Sequence, residues 1–255
     1  MGFYDLSKEK RKDLVQKIES DILLDLQKKE TESIFKYFSD EDTYIRKAGY
    51  SAIGKIYKNS TIDVSNIINI LDKLLKSESE KVRQTVINTA GELGKINFEN
   101  VGYFFDQGLF DEHHSVRNAV IGSIKKMGDK NPVPVLNWAK NYIRHPDKEV
   151  RREICHGIEL RGRKHPQDIL PLLKELQHDT TRRVKNTLIH VLGQISYKKG
   201  CLAIVIKDLK TWKNKELVRK ALNEIIDVHR RYKDFAALTQ EEAIAYIDKN
   251  YSEKQ

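Results

Sequence analysis

Apolar residues in this chain recur with the period of a helix. Val82, Val86, Ala90 and Leu93 form one such stripe, Val150, Ile154 and Ile158 a second, and Val184, Leu188, Leu192 and Ile195 a third. Spacings of three and four put each set on one side of a 3.6-residue turn, which predicts amphipathic α-helices with one buried face. A shorter amphipathic run precedes each stripe, at 67–75, 135–139 and 169–176. The chain therefore reads as helix, turn, helix, repeated, with each pair burying one face on the next.

The turns carry their own regularity. Six segments, beginning at Asp40, Ser77, Asp111, His145, Asp179 and Lys213, each end in an aliphatic residue followed by Arg or Lys. Those basic residues are Arg46, Arg83, Arg117, Arg151, Lys185 and Arg219, separated by 37, 34, 34, 34 and 34 residues. Equal intervals with such regular flanks mark an internal repeat. At the ends, residues 6–28 read as a capping helix with Ser7 as N-cap, and Thr239 to Glu242 as a capping box ahead of a short final helix.

This pattern resembles the HEAT-repeat family over residues 32–233. The resemblance implies an all-α fold, an α-solenoid of about six HEAT-like helix pairs with N- and C-terminal capping helices. It is read as a single solenoid over 1–255, with a cap at 1–31, repeats over 32–233 and a final cap helix at 239–250. It also implies a hydrogen-bonded ladder between repeats, built from the Asp of each turn and the basic residue six positions later. Asp40/Arg46, Asp111/Arg117 and Asp179/Lys185 keep that spacing, whereas Ser77, His145 and Lys213 replace the Asp in the other turns. The turn arginines are thus expected to hold repeats together.

In HEAT arrays the second helix of each pair lines the concave groove, so the groove can be read down the repeats. The residue after each anchor gives the column Lys47, Gln84, Asn118, Arg152, Asn186 and Lys220. Four residues on lie Ser51, Asn88, Gly122, His156, His190 and Glu224. Eleven on lie Lys58, Lys95, Asp129, Arg163, Tyr197 and Arg231. Helical geometry brings these offsets onto one face. The expected groove is polar and largely basic, with Asn118, His156, Asn186, His190 and Tyr197 among its lining residues.

Charge sharpens this. Residues 1–127 carry 20 basic and 20 acidic side chains, but 144–233 carry 22 against 11, a net of +11. A charge confined to one half points to a surface directed at a polyanion. Three clusters, Arg161-Gly162-Arg163-Lys164, Lys198-Lys199 and Arg230-Arg231, follow the second helices of repeats four to six and should form a basic rim. Arg182-Arg183 precedes the second helix of repeat five. Together with Arg152 and Lys220, these residues are the candidate phosphate contacts.

Enzyme chemistry is sparse. The chain has no phosphate-binding glycine loop, no HExxH and no CxxC pair; Cys155 and Cys201 stand alone and suit a reducing compartment. His113-His114 lacks supporting Cys or carboxylate ligands, so neither metal nor cofactor is expected. The N-terminus is charged and the longest apolar run is six residues, at 201–206, which reads as a soluble cytoplasmic protein with no membrane partner, and a monomer. One further likeness remains. Residues 150–196, with Arg161-Gly-Arg-Lys164 and the stretch from Arg183 to Ser196, and then 212–233, look like the bacterial alkylpurine DNA glycosylases built from HEAT repeats. That resemblance implies duplex DNA in a basic groove and a tryptophan–carboxylate site stabilising a cationic base. Here only Trp138 and Trp212 are present, both on first helices, and no catalytic residue carries over. Three readings stay open: a non-catalytic module whose basic groove in repeats four to six binds nucleic acid, foremost DNA; a scaffold binding an acidic or other protein; and a DNA glycosylase of the alkylation-repair type.

Overall fold

The structure, a computed structural model, describes residues 2–251. A 3-10 turn at Phe3–Asp5 leads into α1 (Lys8–Lys28). Helix pairs follow: α2 (Glu32–Phe38) with α3 (Thr43–Lys58), α4 (Val64–Leu75) with α5 (Glu80–Gly94), and α6 (Gly102–Gly108) with α7 (His114–Lys130). Then come α8 (Pro132–Tyr142) with α9 (Lys148–Gly157) and its short continuation α10 (Glu159–Gly162), α11 (Pro166–Lys174) with α12 (Arg182–Gln194), and α13 (Cys201–Leu209) with α14 (Lys215–Arg231). The last helix is α15 (Gln240–Asn250). No strand occurs among the described residues. The chain is all-α, of the helical-repeat class that its periodicity predicts. It divides into two compact units, at residue 131.

In the first unit the longer helices stack in sequence, α1 on α3, α3 on α5 and α5 on α7. The stripes Ile53, Val86, Ala90 and Ile124 are buried between them. Helices α5 and α7 come close at Gly91, where an added Cβ would lie 2.5 Å from Ser123 Oγ and 2.7 Å from Ser123 Cβ. Only glycine lets α5 and α7 pack this closely. In the second unit α9, α12 and α14 stack in the same manner, burying Ile154, Leu188, Leu192 and Ile225.

Both end caps form as the sequence implies. Ser7 Oγ accepts the Lys10 N–H at 3.3 Å. Thr239 and Glu242 make the reciprocal capping box. One detail differs. The second helices begin about one turn before the basic anchor, so that Arg182 and Arg183 open α12 rather than precede it, because short side chains at Asp42, Asp147 and Asn214 cap backbone N–H groups two or three residues on in the helices they precede. The anchors therefore stand in the first turn of their helices.

That position sets the wiring of the ladder. Arg83 donates from Nη1 to the carbonyls of Ser77 and Glu78, at 2.9 and 3.0 Å. Its other donors form a fork on the Asp111 carboxylate of the next repeat, at 2.8 and 3.1 Å. Arg151 does the same, holding the His145 and Pro146 carbonyls at 2.8 Å and the Asp179 carboxylate at 2.6 Å. Arg46 and Arg117 bind the carbonyls of their own turns. Within one repeat, then, the arginine meets the backbone of the turn; the carboxylate of Asp111 or Asp179 serves the arginine of the preceding repeat.

These two aspartates make the fold acid-sensitive. Burial pushes the Asp111 carboxyl up, but the Arg83 fork, the His113 N–H and the arginine charge outweigh it and hold it below its ordinary value. Asp179 is held down in the same way by Arg151 and Thr181. A depressed folded-state pKa contributes stability above the unfolded value, near 3.9, that disappears as pH falls through the folded value. Thermal midpoints recorded from pH 7 to 3 should fall steeply below about pH 4, and the D111N/D179N variant should lose much of that pH dependence. A variant with the same pH profile as the parent would contradict this assignment.

Candidate nucleic-acid interface

The basic face of the second unit is built on α9, α10, α12 and α14. The C-terminal ends of these helices meet along one edge. Arg163, just past α10, reaches Gln194 at the end of α12 at 2.9 Å, and the Cys201 thiol lies 3.6 Å from the Arg163 carbonyl. The Lys198 ammonium stands 3.3 Å from the carbonyl of Phe235, beyond α14, and over the rings of Tyr197 and Phe235.

Many of the sequence-predicted cations on this face have internal acids. Arg152 and Arg183 both bind Glu149, at 2.8 and 2.9 Å, which ties repeat four to repeat five. Arg161 binds Asp168 at 2.7 Å. Arg163 binds Glu159 at 2.9 Å, and Lys220 binds Glu216 at 2.6 Å. Arg230 pairs with Asp227, and Arg231 with Asp227 and Glu224, at 2.6 and 2.5 Å. By contrast Arg182 and Lys199 are exposed and have no ion-pair partner among the described residues. Lys164 is exposed just past α10. Lys198 is half-buried over its two aromatic rings, so the outward charge that has no internal acid among the described residues stands at Lys199 on the rim and at Arg182 at the opposite helix ends.

The floor of the face is a network around Glu159, whose side chain is 2 % exposed. Its Oε1 accepts from Arg163; its Oε2 lies 3.2 Å from His156 Nε2 and 4.0 Å from His190 Nε2. His190 Nδ1 in turn faces Glu224 Oε1 at 3.9 Å. Gln194, fully buried, accepts from Arg163 through Oε1. Burial holds the His190 imidazole below its ordinary pKa, with His156 and Arg231 acting in the same direction against the carboxylates of Glu159 and Glu224. His190 is therefore neutral at neutral pH. The sequence places His156 and His190 in one column, one repeat apart. Glu159 lies outside the three columns, and its nearness in sequence to His156 and Arg163 makes it only a poor candidate there.

Asn118 and Asn186 are exposed on their helices, as a groove-lining role requires. Tyr197 is not a groove residue. It is 4 % exposed and stacks on Tyr232 with centroids 5.3 Å apart and planes 9° apart. Helix α12 ends at Gln194, so the helical offset that puts residue 197 on the groove face no longer applies there. Both tryptophans are core residues: Trp138, on α8, is 8 % exposed, and Trp212, which lies past the end of α13 rather than on a first helix, is 1 % exposed with its indole N–H on Asp208 at 2.7 Å. Neither faces Glu159 from an open surface.

The first unit carries a different surface. Phe3, Tyr4 and Tyr44 form an aromatic group, with Tyr4 and Tyr44 edge to face at 4.5 Å and the Arg11 guanidinium over Tyr4. With Lys47, Ser51 and Lys55 they line a cleft of about 410 Å³. Lys47 and Ser51 belong to the sequence-predicted groove columns, as do Gln84 and Asn88 in a neighbouring cleft.

The sequence matches no protein-family model and no curated protein. Solved structures do share its fold. AlkD2 from Streptococcus mutans is similar with a TM-score of 0.54 at 16% identity, over 80% of this chain and 97% of that one. The protein smu.31 from Streptococcus mutans UA159 gives 0.51 at 18% identity, over 70% and 94%. A TOG domain from the array that crescerin uses to regulate microtubules in the primary cilium gives 0.50 at 16% identity, over 76% and 88%. At these identities the likeness is one of fold, and the fold that this chain shares with them is the all-helical repeat.

Proposed function

We propose that the second unit is a non-catalytic nucleic-acid-binding surface, DNA foremost, that holds the phosphate backbone. The observation that carries this reading is the charge asymmetry, +11 over 144–233 against zero over 1–127. The outward cations Arg182 and Lys199 support it, and Arg183, Arg230 and Arg231 add exposed guanidinium groups held in place by their carboxylates. Contacts of this kind fix position without reading bases. The buried state of Trp138 and Trp212 argues against the tryptophan–carboxylate site of a glycosylase. No helix among the described residues is long and apolar enough to cross a membrane, and the buried, unbridged Cys155 and Cys201 support a reducing, cytoplasmic setting.

The test is binding to duplex, branched and single-stranded DNA across a salt series. The logarithm of affinity should fall linearly with the logarithm of salt, with a slope of about −0.9 per phosphate contact on duplex DNA. Absence of binding at low salt would overturn the reading. It would also favour the protein scaffold, for which the aromatic cleft of the first unit is the specific evidence, because exposed Tyr4 and Tyr44 suit a protein partner.

A further inference from the structure

We infer that His156, Glu159 and His190 form a binding site for a first-row divalent transition-metal ion of the zinc class. The three side chains come from two successive repeats. His156 and Glu159 flank the break between α9 and α10, and His190 lies on α12. Their donor atoms, one from each residue, all lie within 4.8 Å of one another. His156 Nε2 and Glu159 Oε2 are 3.2 Å apart, and His190 Nε2 is 4.0 Å from the same oxygen. A tetrahedral ion with bonds near 2.0–2.1 Å needs donors about 3.3 Å apart, so one pair already fits and a small turn of the His190 ring closes the other.

The surroundings match what a metal requires of its second layer. A ligating histidine commonly aims its other ring nitrogen at a carboxylate. His190 does so: Nδ1 faces Glu224, which Arg231 holds at 2.5 Å. A ligating carboxylate is itself hydrogen-bonded. Arg163 takes the far oxygen, Glu159 Oε1, and leaves Oε2 facing the two imidazoles; Gln194 fixes Arg163 in turn. Two imidazoles and one carboxylate are a donor set that selects zinc-class ions over magnesium or calcium, which favour all-oxygen ligation. The His156 and His190 side chains are 34 % and 44 % exposed, so the fourth coordination position opens to solvent on the face of the second unit. The inference stands on these residues and not on nucleic-acid binding.

The experiment is titration of the full-length protein, freed of metal by chelation, with Zn2+ by calorimetry. Co2+ serves as a second probe whose visible absorption reports low coordination number. One equivalent should bind, with the intense Co2+ bands of a four-coordinate site. H156A and H190A alter half-exposed side chains and should fold normally by circular dichroism, yet lose the saturable phase. H114A, at the adjacent histidine pair of the first unit, should keep it. Mg2+ should not compete. Absence of saturable binding to the parent protein would overturn the inference, and so would equal binding by H190A, or loss in H114A alone.

Discussion

Replacing Arg83 by alanine should lower the stability of the fold by about 3 kcal/mol, the scale of losing one member of a buried ion pair. Arg83 is 9 % exposed and uses its guanidinium on three separate groups: the Ser77 and Glu78 carbonyls of its own turn and the Asp111 carboxylate of the next repeat. Truncation leaves Asp111 partly buried without its main counter-charge and frees two turn carbonyls. Arg83→Lys should recover only part of the loss, because an ammonium keeps the charge but not the planar fork. Lys220→Ala is the control. Both Lys220 and its partner Glu216 are exposed to solvent, and such a pair contributes little to stability. Urea denaturation of the three variants measures this directly, and similar midpoints for R83A and K220A would contradict the ladder.

The second large effect concerns binding. Replacing Lys164, Lys198 and Lys199 together by alanine should weaken duplex DNA binding on the order of tenfold to a hundredfold at low salt, as expected for the loss of two or three phosphate contacts. Replacing Arg161 and Arg163 should do less to the charge the ligand meets, because Asp168 and Glu159 neutralise them, whereas Lys199 has no acid beside it among the described residues. It should instead lower stability, since Arg163 is the bridge between Glu159 and Gln194. Filter-binding or anisotropy measurements at one salt concentration separate the two variants. A larger loss of affinity from the arginine pair, without a change in stability, would show that the ion pairs open to receive phosphate.

Much of this molecule could be read from the chain because its strongest signals are periodic. The stripes through Val86, Ile154 and Leu188 fixed helix after helix, and the turn anchors located each pair. The ladder was legible in its members but not in its direction. A six-residue spacing suggests that Asp111 meets Arg117, whereas Arg117 takes the Asp111 carbonyl and Arg83 takes the carboxylate. That exchange arises from helices beginning a turn earlier than the anchors, a consequence of local caps at residues such as Asp42.

The face of the second unit was harder. Columns drawn at fixed offsets hold only while the helix lasts. They hold for His156 and His190 but fail at Tyr197, past the end of α12, where the chain turns inward to stack on Tyr232. Pairings three and four residues apart, such as Arg152 with Glu149 and Arg163 with Glu159, also escaped the columns, since each partner sits off the column. The count of positive charge was right and its outward distribution was not legible. The histidine–carboxylate cluster escaped motif scanning for a related reason: its ligands are a repeat apart, 34 residues between His156 and His190, rather than a few.

The most direct test of a phosphate-binding second unit is the salt dependence of duplex binding in two matched triple variants, K164A/K198A/K199A and K8A/K10A/K12A. Both remove three lysines, so net charge changes equally, but the second set lies on α1 in the first unit. The first variant should flatten the slope by about 2–3 units and the second should leave it unchanged. Equal flattening by both would mean that total charge, and no particular surface, governs the binding.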